Sequence, residues 1–293
     1  MSFPHTTCYM RLCLYFFFTF QRVLLYRKAI MHPVLINIPF FGGLTIHTYG
    51  FMVALGFLAG ILWIRFESKR VGVDVSRMLD LVFYLVLIGI LASRLAHLLI
   101  SERADFFADP LLFFKMWRGG LVFLGGVIPA ILVAVWYLRR HKMGFWKPVD
   151  ILSPALALGH MFGRIGCLMA GCCFGKESSS KWCYIVFPND PHTFAPVGIH
   201  IFPTQLIEAL GEAVIFSILF VVSRKKRFDG QVFATYLILY SVLRFFNEML
   251  RGDLIRGFVI EPWLSTSQFG SLLLFVAGLI IYFTRWKKRC DSI

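Results

Sequence analysis

The chain has 293 residues, of which 58% are hydrophobic, 16% are charged and 32 are phenylalanine. This composition is too apolar for a soluble protein of that length and predicts an integral membrane protein. The formal net charge of +14 would suggest nucleic acid in a soluble protein. Basic clusters beside apolar segments are also typical of membrane proteins, because of the positive-inside bias and anionic lipid headgroups. We therefore expect a membrane setting and no nucleic-acid partner.

The first thirty residues do not have the pattern of a membrane span. Leu12 to Phe20 is an apolar run of nine residues with an arginine close to each end, whereas a helix needs roughly twenty residues to cross a bilayer. No small-residue cleavage site follows, so a secretory signal is not favoured either. The sequence predicts that residues 1–30 are an extension outside the fold, that Met31 is the functional start, and that residues 31–293 form a single transmembrane domain.

Seven longer apolar segments follow. They are continuous rather than alternating, which favours helices over the strands of a barrel. Each has about the length that a helix needs to cross the hydrocarbon core. The fold class predicted is an all-α integral membrane protein with about seven transmembrane helices in a single bundle. The predicted spans are residues 46–64, 79–100, 119–138, 151–170, 205–222, 233–250 and 267–284.

Basic residues cluster after every second predicted span. Because such residues are enriched in cytoplasmic loops, the odd-numbered spans would end in the cytoplasm. The amino terminus would then be outside, the carboxyl terminus cytoplasmic, and the long segment 171–204 external. The basic residues are Arg65, Lys69 and Arg70, then Arg139, Arg140 and Lys142, then Arg224 to Arg227, and finally Arg285, Lys287, Lys288 and Arg289.

The segment 159–175 contains an arginine, a histidine and three cysteines inside an otherwise apolar run. A charge at this depth is costly, so Arg164 needs a purpose. Spacings of four, three and four residues place His160, Arg164, Cys167 and Gly171 on one face of a helix. This face is predicted to be polar. For His160 alone, a packing or hydrogen-bonding role is the more common one.

Ionisable side chains recur in three other predicted spans at helical spacing. Structural ion pairs are one interpretation, because pairing costs less than leaving a buried charge alone. Counted together, positive charge is in excess, which favours an anionic ligand such as a phosphate. The arginines counted are Arg94, Arg164, Arg244 and Arg251, and the glutamates are Glu208 and Glu248. Other polar residues of these helices are His97, Gln205, Glu212 and Tyr240.

The cysteines of the predicted external segment allow a disulfide, because that side of the membrane is oxidising. A zinc site would want two paired spacings such as C-x-x-C, which Cys167, Cys172, Cys173 and Cys183 do not supply. We therefore expect no metal, and the lack of C-x-x-C also argues against a thiol-redox enzyme. Buried small side chains and one structural disulfide remain as alternatives.

The central segment resembles a known family. Gly163-Arg164-Ile165-Gly166, followed by Gly171 and Gly175, is similar to the signature of the prolipoprotein diacylglyceryl transferases. In this chain the signature has the form Gly-Cys-x-x-x-Gly-Cys-Cys-x-Gly, a variant that we associate with some branches of the family.

Four further motifs stand in the family's order, between about residues 35 and 290. Any one of them is weak, but five in register make a strong resemblance. They are Thr48-Tyr49-Gly50, Trp117 to Gly120 with Gly125-Gly126, Pro203 to Leu206 with Glu208, and Arg244 with Glu248 and Arg251.

The resemblance implies an enzyme of the bacterial inner membrane that uses no cofactor. The family transfers the diacylglyceryl group of phosphatidylglycerol to the lipobox cysteine thiol in prolipoprotein signal peptides, and releases glycerol phosphate. This is the first step of bacterial lipoprotein maturation. The chemistry needs stabilisation of a departing phosphate and a thiolate supplied by the substrate.

The resemblance also implies roles for individual residues. Arg164 and Arg244 would clamp the lipid phosphate. Glu208 and Glu248 would orient these arginines. Tyr49 and Gln205 would contact headgroup hydroxyls. The expected catalytic residues are Tyr49, His160, Arg164, Arg244 and Glu248, and the expected substrate-binding residues are Arg94, Arg164, Gly175, Gln205, Glu208, Arg244 and Arg251.

Several positions depart from the family pattern where chemistry is expected. Many members have histidine at the position of Leu124, asparagine at Cys167, histidine at Phe202 and tyrosine at Ile207. If the first histidine is the general base of its relatives, Leu124 cannot be one. His160 is the nearest substitute by sequence. The alternative is that the thiol ionises in the field of the arginines without a dedicated base.

Two other function classes remain open from the sequence. A transporter would also carry intramembrane charges, but it would predict two similar halves with broken helices at corresponding places, and no internal repeat is found. A non-catalytic relative that binds phospholipid or lipoprotein would keep the arginines and tolerate Leu124.

Overall fold

The computed structural model describes residues 32–38, 44–115, 119–179, 183–191, 193–252, 257–261 and 263–291. The predicted extension of residues 1–30 lies outside this part of the chain, as do Trp117 and Arg118 of the proposed family motif.

Helices make up most of the described chain, and two small hairpins accompany them. The helices are α1 Thr48–Val71, α2 Val75–Ser101, α3 Arg103–Ala108, α4 Phe123–Arg140, α5 Trp146–Ala170, α6 Thr204–Lys225, α7 Gln231–Met249 and α8 Thr266–Cys290. A 3₁₀ turn covers Pro110–Phe113, and the strands are β1 Val34–Ile38, β2 Leu44–His47, β3 Phe258–Ile260 and β4 Leu264–Ser265.

Each predicted span overlaps one long helix. Five helices are long and apolar enough to cross a membrane, namely α1, α2, α5, α6 and α8. This confirms a mostly helical protein with several membrane-spanning helices, while the count of seven remains a prediction. Helix α4 has only 18 residues and ends in Arg139 and Arg140, and α7 carries Arg244 and Glu248 within its 19 residues.

Several helices extend beyond the apolar segments that predicted them. Helix α1 continues to Val71 through Lys69 and Arg70, and α8 continues to Cys290 through Lys287. Lysine and arginine are good helix formers, and their long side chains reach water while their stems cover apolar surface. A hydropathy pattern therefore ends a helix too early at its basic end.

The two hairpins are not predicted from the sequence. Strands β1 and β2 pair antiparallel, with Val34 opposite His47 and Ile38 opposite Leu44. The hairpin joins α1 directly, because the Thr48 amide donates to Pro33 O at 2.9 Å. Strands of two to five residues are too short to give a clear alternation in a sequence this apolar.

The described chain forms two compact units, and most long helices contribute to both. The first unit takes in the described residues up to Gly56, Gly159–Val214 and Tyr240–Leu273. The second takes in Phe57–Leu158, Ile215–Leu239 and the described residues from Leu274 onward. The basic last turns of α1, α4, α6 and α8 all belong to the second unit.

Two kinds of contact hold the second unit together. Its apolar core is built around Trp63, Met78, Leu81 and Tyr137, with Ile151 accepting a hydrogen bond from the Trp63 indole at 3.0 Å. Elsewhere in the unit, α2 and α4 approach closely at glycines. A Cβ at Gly125 would collide with Ala96, and one at Gly126 would collide with Gly89 O. The Gly-Gly pair inside α4 is therefore a helix-packing feature.

Buried carboxylates of the second unit have basic or amide partners. Asp150 accepts hydrogen bonds from the Gly230 and Phe233 amides at 2.9 and 3.0 Å, at the amino end of α7, and from Lys226 Nζ at 2.9 Å. Burial by itself would lower the pKa of Lys226, but the charge of Asp150, helped by Asp229, outweighs this effect and raises it. Asp150 therefore caps a helix that is distant in sequence.

Candidate active site

Arg164 and His160 lie one turn apart on α5 and face two glutamates one turn apart on α6. Arg164 Nη2 lies 3.0 Å from Glu208 Oε1, and His160 Nδ1 lies 2.8 Å from Glu212 Oε1. The two pairs are linked, because Arg164 Nε donates to His160 Nε2 at 3.2 Å. The spacing of four residues on both helices lets the polar faces match in register.

Glu208 is the common partner of this cluster. Its side chain is 1% exposed and forms an ion pair with Arg164 on α5. It also accepts hydrogen bonds from Asn247 Nδ2 at 2.6 Å and Arg244 Nη1 at 3.4 Å on α7. A buried carboxylate is tolerated only when its lone pairs are used in this way. Glu208 thus ties α5, α6 and α7 together.

Arg244 is more fully occupied than Arg164. Its second terminal nitrogen, Nη2, lies 2.7 Å from Glu248 Oε2 and 3.2 Å from Ser267 Oγ of α8. In the described part of the chain no hydrogen bond or ion pair involves Nη1 of Arg164. That side chain is also 13% exposed. One donor group of Arg164 is therefore open to a ligand.

Tyr49 lies at the start of α1 and packs against α5. A Cβ at Gly166 would lie 3.1 Å from Tyr49 Cδ2 and 3.3 Å from Tyr49 O, so glycine is needed for this close approach. Tyr49 is 45% exposed. It therefore stands at the open side of the segment that carries Arg164 and Cys167.

The carboxyl end of α5 folds back on itself and groups three cysteines. The Gly171 amide donates to Leu168 O at 3.2 Å and the Cys172 amide donates to Cys167 O at 3.1 Å, which is the Schellman pattern. Gly171 has φ 68° and Cys173 has φ 60°. The Sγ atoms of Cys167, Cys172 and Cys173 consequently all lie within 4.8 Å of one another. The described cysteines are free thiols, so no disulfide forms among them.

The amino end of α6 holds this turn through the backbone. Thr204 Oγ1 donates to Cys173 O at 3.0 Å, and Gln205 Nε2 donates to Cys172 O at 2.8 Å. Gln205 is 1% exposed, so its amide nitrogen serves this carbonyl and not a headgroup hydroxyl. The Pro-Thr-Gln segment of the sequence is a clamp on the cysteine turn.

Gly175 and Arg251 meet where the loop after α5 passes the end of α7. The two residues form an antiparallel bridge, and the Lys176 amide donates to Leu250 O at 2.8 Å. A Cβ at Gly252 would lie 2.6 Å from Gly175 O, so the backbones touch directly. The predicted substrate-binding roles of Gly175 and Arg251 therefore fall at a backbone junction, where Arg251 is buried.

Arg94 belongs to the second unit and has a different environment. Its Nη2 donates to Leu112 O at 2.9 Å, and its Nη1 donates to Gly119 O and, at 3.3 Å, to Gly120 O. The residue is 1% exposed. Arg94 thus donates to carbonyls of the segment between α2 and α4. Its side chain is too buried to offer a donor to a substrate.

The excess of positive charge expected from the sequence is not present at the site. The count included Arg94, which lies in the other unit, and omitted Glu212, which pairs with His160. Arg164, Arg244 and Arg251 match Glu208, Glu212 and Glu248 in number. The argument for an anionic ligand therefore depends on the open donor of Arg164 and not on net charge.

The structure brings five predicted site residues into one hydrogen-bonded cluster. They are His160, Arg164, Glu208, Arg244 and Glu248. Sequence reasoning missed Asn247 and Ser267, although Asn247 lies three residues after Arg244 and so on its helix face. Both ring nitrogens of His160 are occupied, by Glu212 and by Arg164. Leu124 lies exposed in the second unit.

Comparison with known proteins agrees with the motifs that the site is built from. A sequence model described as prolipoprotein diacylglyceryl transferase matches residues 33–284. The chain belongs to the prolipoprotein diacylglyceryl transferase family. Membership makes it a multi-pass membrane protein, as the apolar helices indicate.

Relatives within the prolipoprotein diacylglyceryl transferase family cover most of the chain. A protein from Clostridium perfringens named phosphatidylglycerol–prolipoprotein diacylglyceryl transferase 2 is 34% identical over 82% of this chain and 91% of its own length. A Clostridium tetani protein named phosphatidylglycerol–prolipoprotein diacylglyceryl transferase is 34% identical over 88% of this chain and 100% of its own length. A Stenotrophomonas maltophilia protein of that name is 35% identical over 82% of this chain and 88% of its own length.

Proposed function

We propose that this protein transfers the diacylglyceryl group of phosphatidylglycerol to the lipobox cysteine thiol of prolipoproteins, as the first step of bacterial lipoprotein maturation. Family membership and the names of the relatives support the reaction. The observation that carries the proposal for this chain is Arg164. Its guanidinium is oriented by Glu208 and His160, and among the described residues its recorded hydrogen bond and ion pair use Nε and Nη2 and leave Nη1 open.

Arg164 would bind the phosphate of the lipid through its open edge. A guanidinium offers several donors in a fixed plane, and two of them stay engaged here, so the third has a defined direction. The phosphate that departs during transfer carries growing negative charge. Donors that are already oriented stabilise such charge without the cost of reorganisation.

Arg244 would act mainly by positioning its neighbours. Its Nη1 and Nη2 contact Glu208, Glu248 and Ser267, so it fixes the carboxylates that orient Arg164 and adds positive charge near the phosphate. Glu248 would hold Arg244 in place. We assign the phosphate contact itself to Arg164, with Tyr49 at the open side as a partner for headgroup hydroxyls.

His160 would orient Arg164 and not act as the general base. Its Nδ1 proton is directed to Glu212, and its Nε2 accepts from Arg164. Neither nitrogen can take a proton from a thiol while these contacts persist.

The reaction is an alkylation of sulfur. The substrate cysteine sulfur attacks the glycerol carbon that bears the phosphate, and a carbon–sulfur bond forms as the carbon–oxygen bond breaks. The electron pair of that bond leaves on the phosphate oxygen. Glycerol phosphate departs with one proton, which balances the proton lost by the thiol.

We also propose that α4 and α7 cross the membrane together with the five helices that are long and apolar enough to do so. The protein would then have seven spans in the bacterial inner membrane, an external amino terminus and a cytoplasmic carboxyl terminus. The basic last turns of α1, α4, α6 and α8 support this orientation. Cys290 is exposed near the carboxyl terminus and provides a test. In intact cells it should resist a membrane-impermeant thiol reagent, with Cys290→Ser as background; labelling without permeabilisation would contradict the orientation.

The direct test of the activity is a transfer assay with the purified protein. Phosphatidylglycerol labelled in its acyl chains and a peptide with a lipobox cysteine should give a labelled thioether peptide and free glycerol phosphate. A peptide with serine in place of the cysteine should give no product. Folded protein that binds the lipid and the peptide but gives no thioether would contradict the proposed function.

A further inference from the structure

Three thiols lie together at the candidate active site. The Sγ atoms of Cys167, Cys172 and Cys173 are within 4.8 Å of one another, and each is within hydrogen-bonding reach of the other two. All three residues are partly buried free cysteines. The lack of C-x-x-C pairs in the sequence argues against a metal site. The chain reversal at Gly171 nevertheless brings the three sulfur atoms close together, which the spacing along the sequence does not show.

The backbone holds this cluster in a fixed arrangement. The turn is closed by its own Schellman bonds, and α6 clamps the Cys172 and Cys173 carbonyls through Gln205 and Thr204. These anchors use carbonyl oxygens only. The contacts from α6 therefore hold the backbone of the turn and do not involve the three sulfur atoms.

The cluster belongs to the same electrostatic environment as the proposed phosphate site. The positive charges of Arg164 and Arg251 act on Cys173, and Arg164 acts also on Cys167. Tyr49 interacts electrostatically with all three cysteines. Metals bind the thiolate form of cysteine.

Ordinary packing and a disulfide explain the arrangement less well. A disulfide uses two cysteines and would leave the third thiol beside it. Three protein ligands and one open position are instead the pattern of a catalytic zinc site, and zinc deaminases can use three cysteines as those ligands. Sulfurs on one tetrahedral zinc ion lie roughly 3.8 Å apart for a Zn–S distance of about 2.3 Å, so shifts of about 1 Å would close the site.

We propose that Cys167, Cys172 and Cys173 bind one Zn²⁺ ion whose fourth position takes the sulfur of the substrate cysteine. This proposal rests on the proposed function, since it assigns the ion to the sulfur nucleophile of the transfer reaction. Soft thiolate ligands select zinc over magnesium or calcium.

The ion would supply the thiolate that the reaction needs. A thiol that coordinates zinc loses its proton outright, and here that proton passes to solvent. The sulfur lone pair then attacks the glycerol carbon, the carbon–oxygen bond breaks, and the phosphate oxygen takes the electron pair and a proton. The neutral thioether is a weaker ligand than the thiolate, so product leaves the metal.

The family resemblance implies a histidine at position 124 and an asparagine at position 167, where this chain has Leu124 and Cys167. Metal-bound sulfur needs no general base, so both residues are compatible with this assignment.

Metal binding can be measured without reference to activity. The full chain, purified without chelators or a metal-affinity tag and reduced under argon, should bind one Zn²⁺ per chain by elemental analysis and by competition with a chromogenic chelator. Cys167→Ser, Cys172→Ser and Cys173→Ser should each lower the affinity at least tenfold. Cys183→Ser and Cys290→Ser are matched controls that should keep full stoichiometry. Cys172→Ala and a monodisperse elution profile separate lost binding from misfolding.

Cobalt substitution tests the open fourth position. Co²⁺ in the site should show sulfur-to-metal charge-transfer bands and tetrahedral d–d bands. Adding a lipobox peptide should increase the charge-transfer intensity by about one third, as three sulfur ligands become four. The peptide with serine in place of cysteine should leave the spectrum unchanged.

The outcomes separate this proposal from the proposed function. Full transfer activity in protein without zinc, or an intact Cys167–Cys172 disulfide in active enzyme, would overturn the metal site and leave the transferase assignment standing. Stoichiometric zinc with the cobalt response but no transfer would support the site and contradict the transferase assignment. Binding that survives all three cysteine substitutions would place the ion elsewhere and overturn the proposal.

Discussion

Two buried arginines of this chain are held in opposite ways. Arg94, in the second unit, donates to backbone carbonyls of Leu112 and Gly119 and is 1% exposed. Arg164, in the first unit, is held by the carboxylate of Glu208 and the ring of His160, and keeps Nη1 without a partner in the described chain. Both lie on helices of apolar composition.

The difference teaches how to separate a structural arginine from a functional one. Carbonyl partners are fixed by the chain path, so Arg94 closes a loop and its loss exposes unsatisfied backbone groups. Side-chain partners orient a guanidinium while leaving part of it accessible. The sequence places both residues among the expected substrate-binding residues, and Arg164 among the expected catalytic residues as well. Their contacts in the structure differ.

Glu208→Ala should have the largest effect, because it would remove the common partner of Arg164 and Arg244. Breaking a buried ion pair from one side costs roughly 3–5 kcal/mol of stability. We expect folded yield in detergent to fall severely and no transfer to remain. Glu261→Ala is the control, since Glu261 is exposed and should tolerate the change. Normal yield for Glu208→Ala would show that the cluster does not hold the first unit together.

Arg164→Lys should separate binding from folding. Lysine keeps the charge but loses the planar set of donors, and a charged hydrogen bond is worth roughly 1.5–3 kcal/mol, or about tenfold to a hundredfold in rate. We expect that loss in kcat/KM with near-normal folded yield. Near-normal transfer by well-folded Arg164→Lys protein would contradict the assignment of the phosphate contact to Arg164.

Arg94→Lys should show the opposite behaviour. One ammonium cannot satisfy carbonyls that the guanidinium reaches through two nitrogens, so we expect a loss of roughly 1–2 kcal/mol in stability. The thermal midpoint in detergent should fall, while kcat/KM per folded molecule stays within about twofold of the unchanged protein. A selective loss of activity at an unchanged midpoint would give Arg94 a role in substrate binding after all.

Arg244→Lys should lower transfer less than Arg164→Lys does. Both Nη atoms of Arg244 already contact Glu208, Glu248 and Ser267, so lysine can keep one of these buried ion pairs but not both. We expect less than about a tenfold loss in kcat/KM and a fall in the thermal midpoint similar to that of Arg94→Lys. A loss as large as that of Arg164→Lys would mean that the two arginines share the phosphate equally.

The sequence predicts the helices well because the membrane imposes strong local rules. About twenty apolar residues must lie in succession, and the backbone must satisfy its own hydrogen bonds. The boundaries are less accurate where basic residues prolong a helix, as at Lys69 and Arg70 of α1. The short hairpins are missed because their strands carry too few residues for a pattern.

The site is predictable only in part, for a physical reason. Spacing within one helix identifies which residues share a face, so Arg164 and His160 were grouped correctly. Spacing within one helix does not show which other helix the face contacts. The sequence therefore does not show that Glu212 pairs with His160, or that Arg94 lies away from Arg164. The cysteine cluster depends on a chain reversal with positive φ at Cys173, which periodicity does not encode.

The way α6 grips the turn after α5 has a consequence for how this enzyme family can diversify. Thr204 and Gln205 hold positions 172 and 173 by main-chain oxygens alone, which every amino acid supplies. The side chains of this turn can therefore be exchanged while its backbone conformation is kept. Position 173 is more restricted, because φ 60° favours glycine or asparagine there. The same backbone can carry thiol or amide side chains beside Arg164. The way in which the nucleophile is activated can then change without a change of fold.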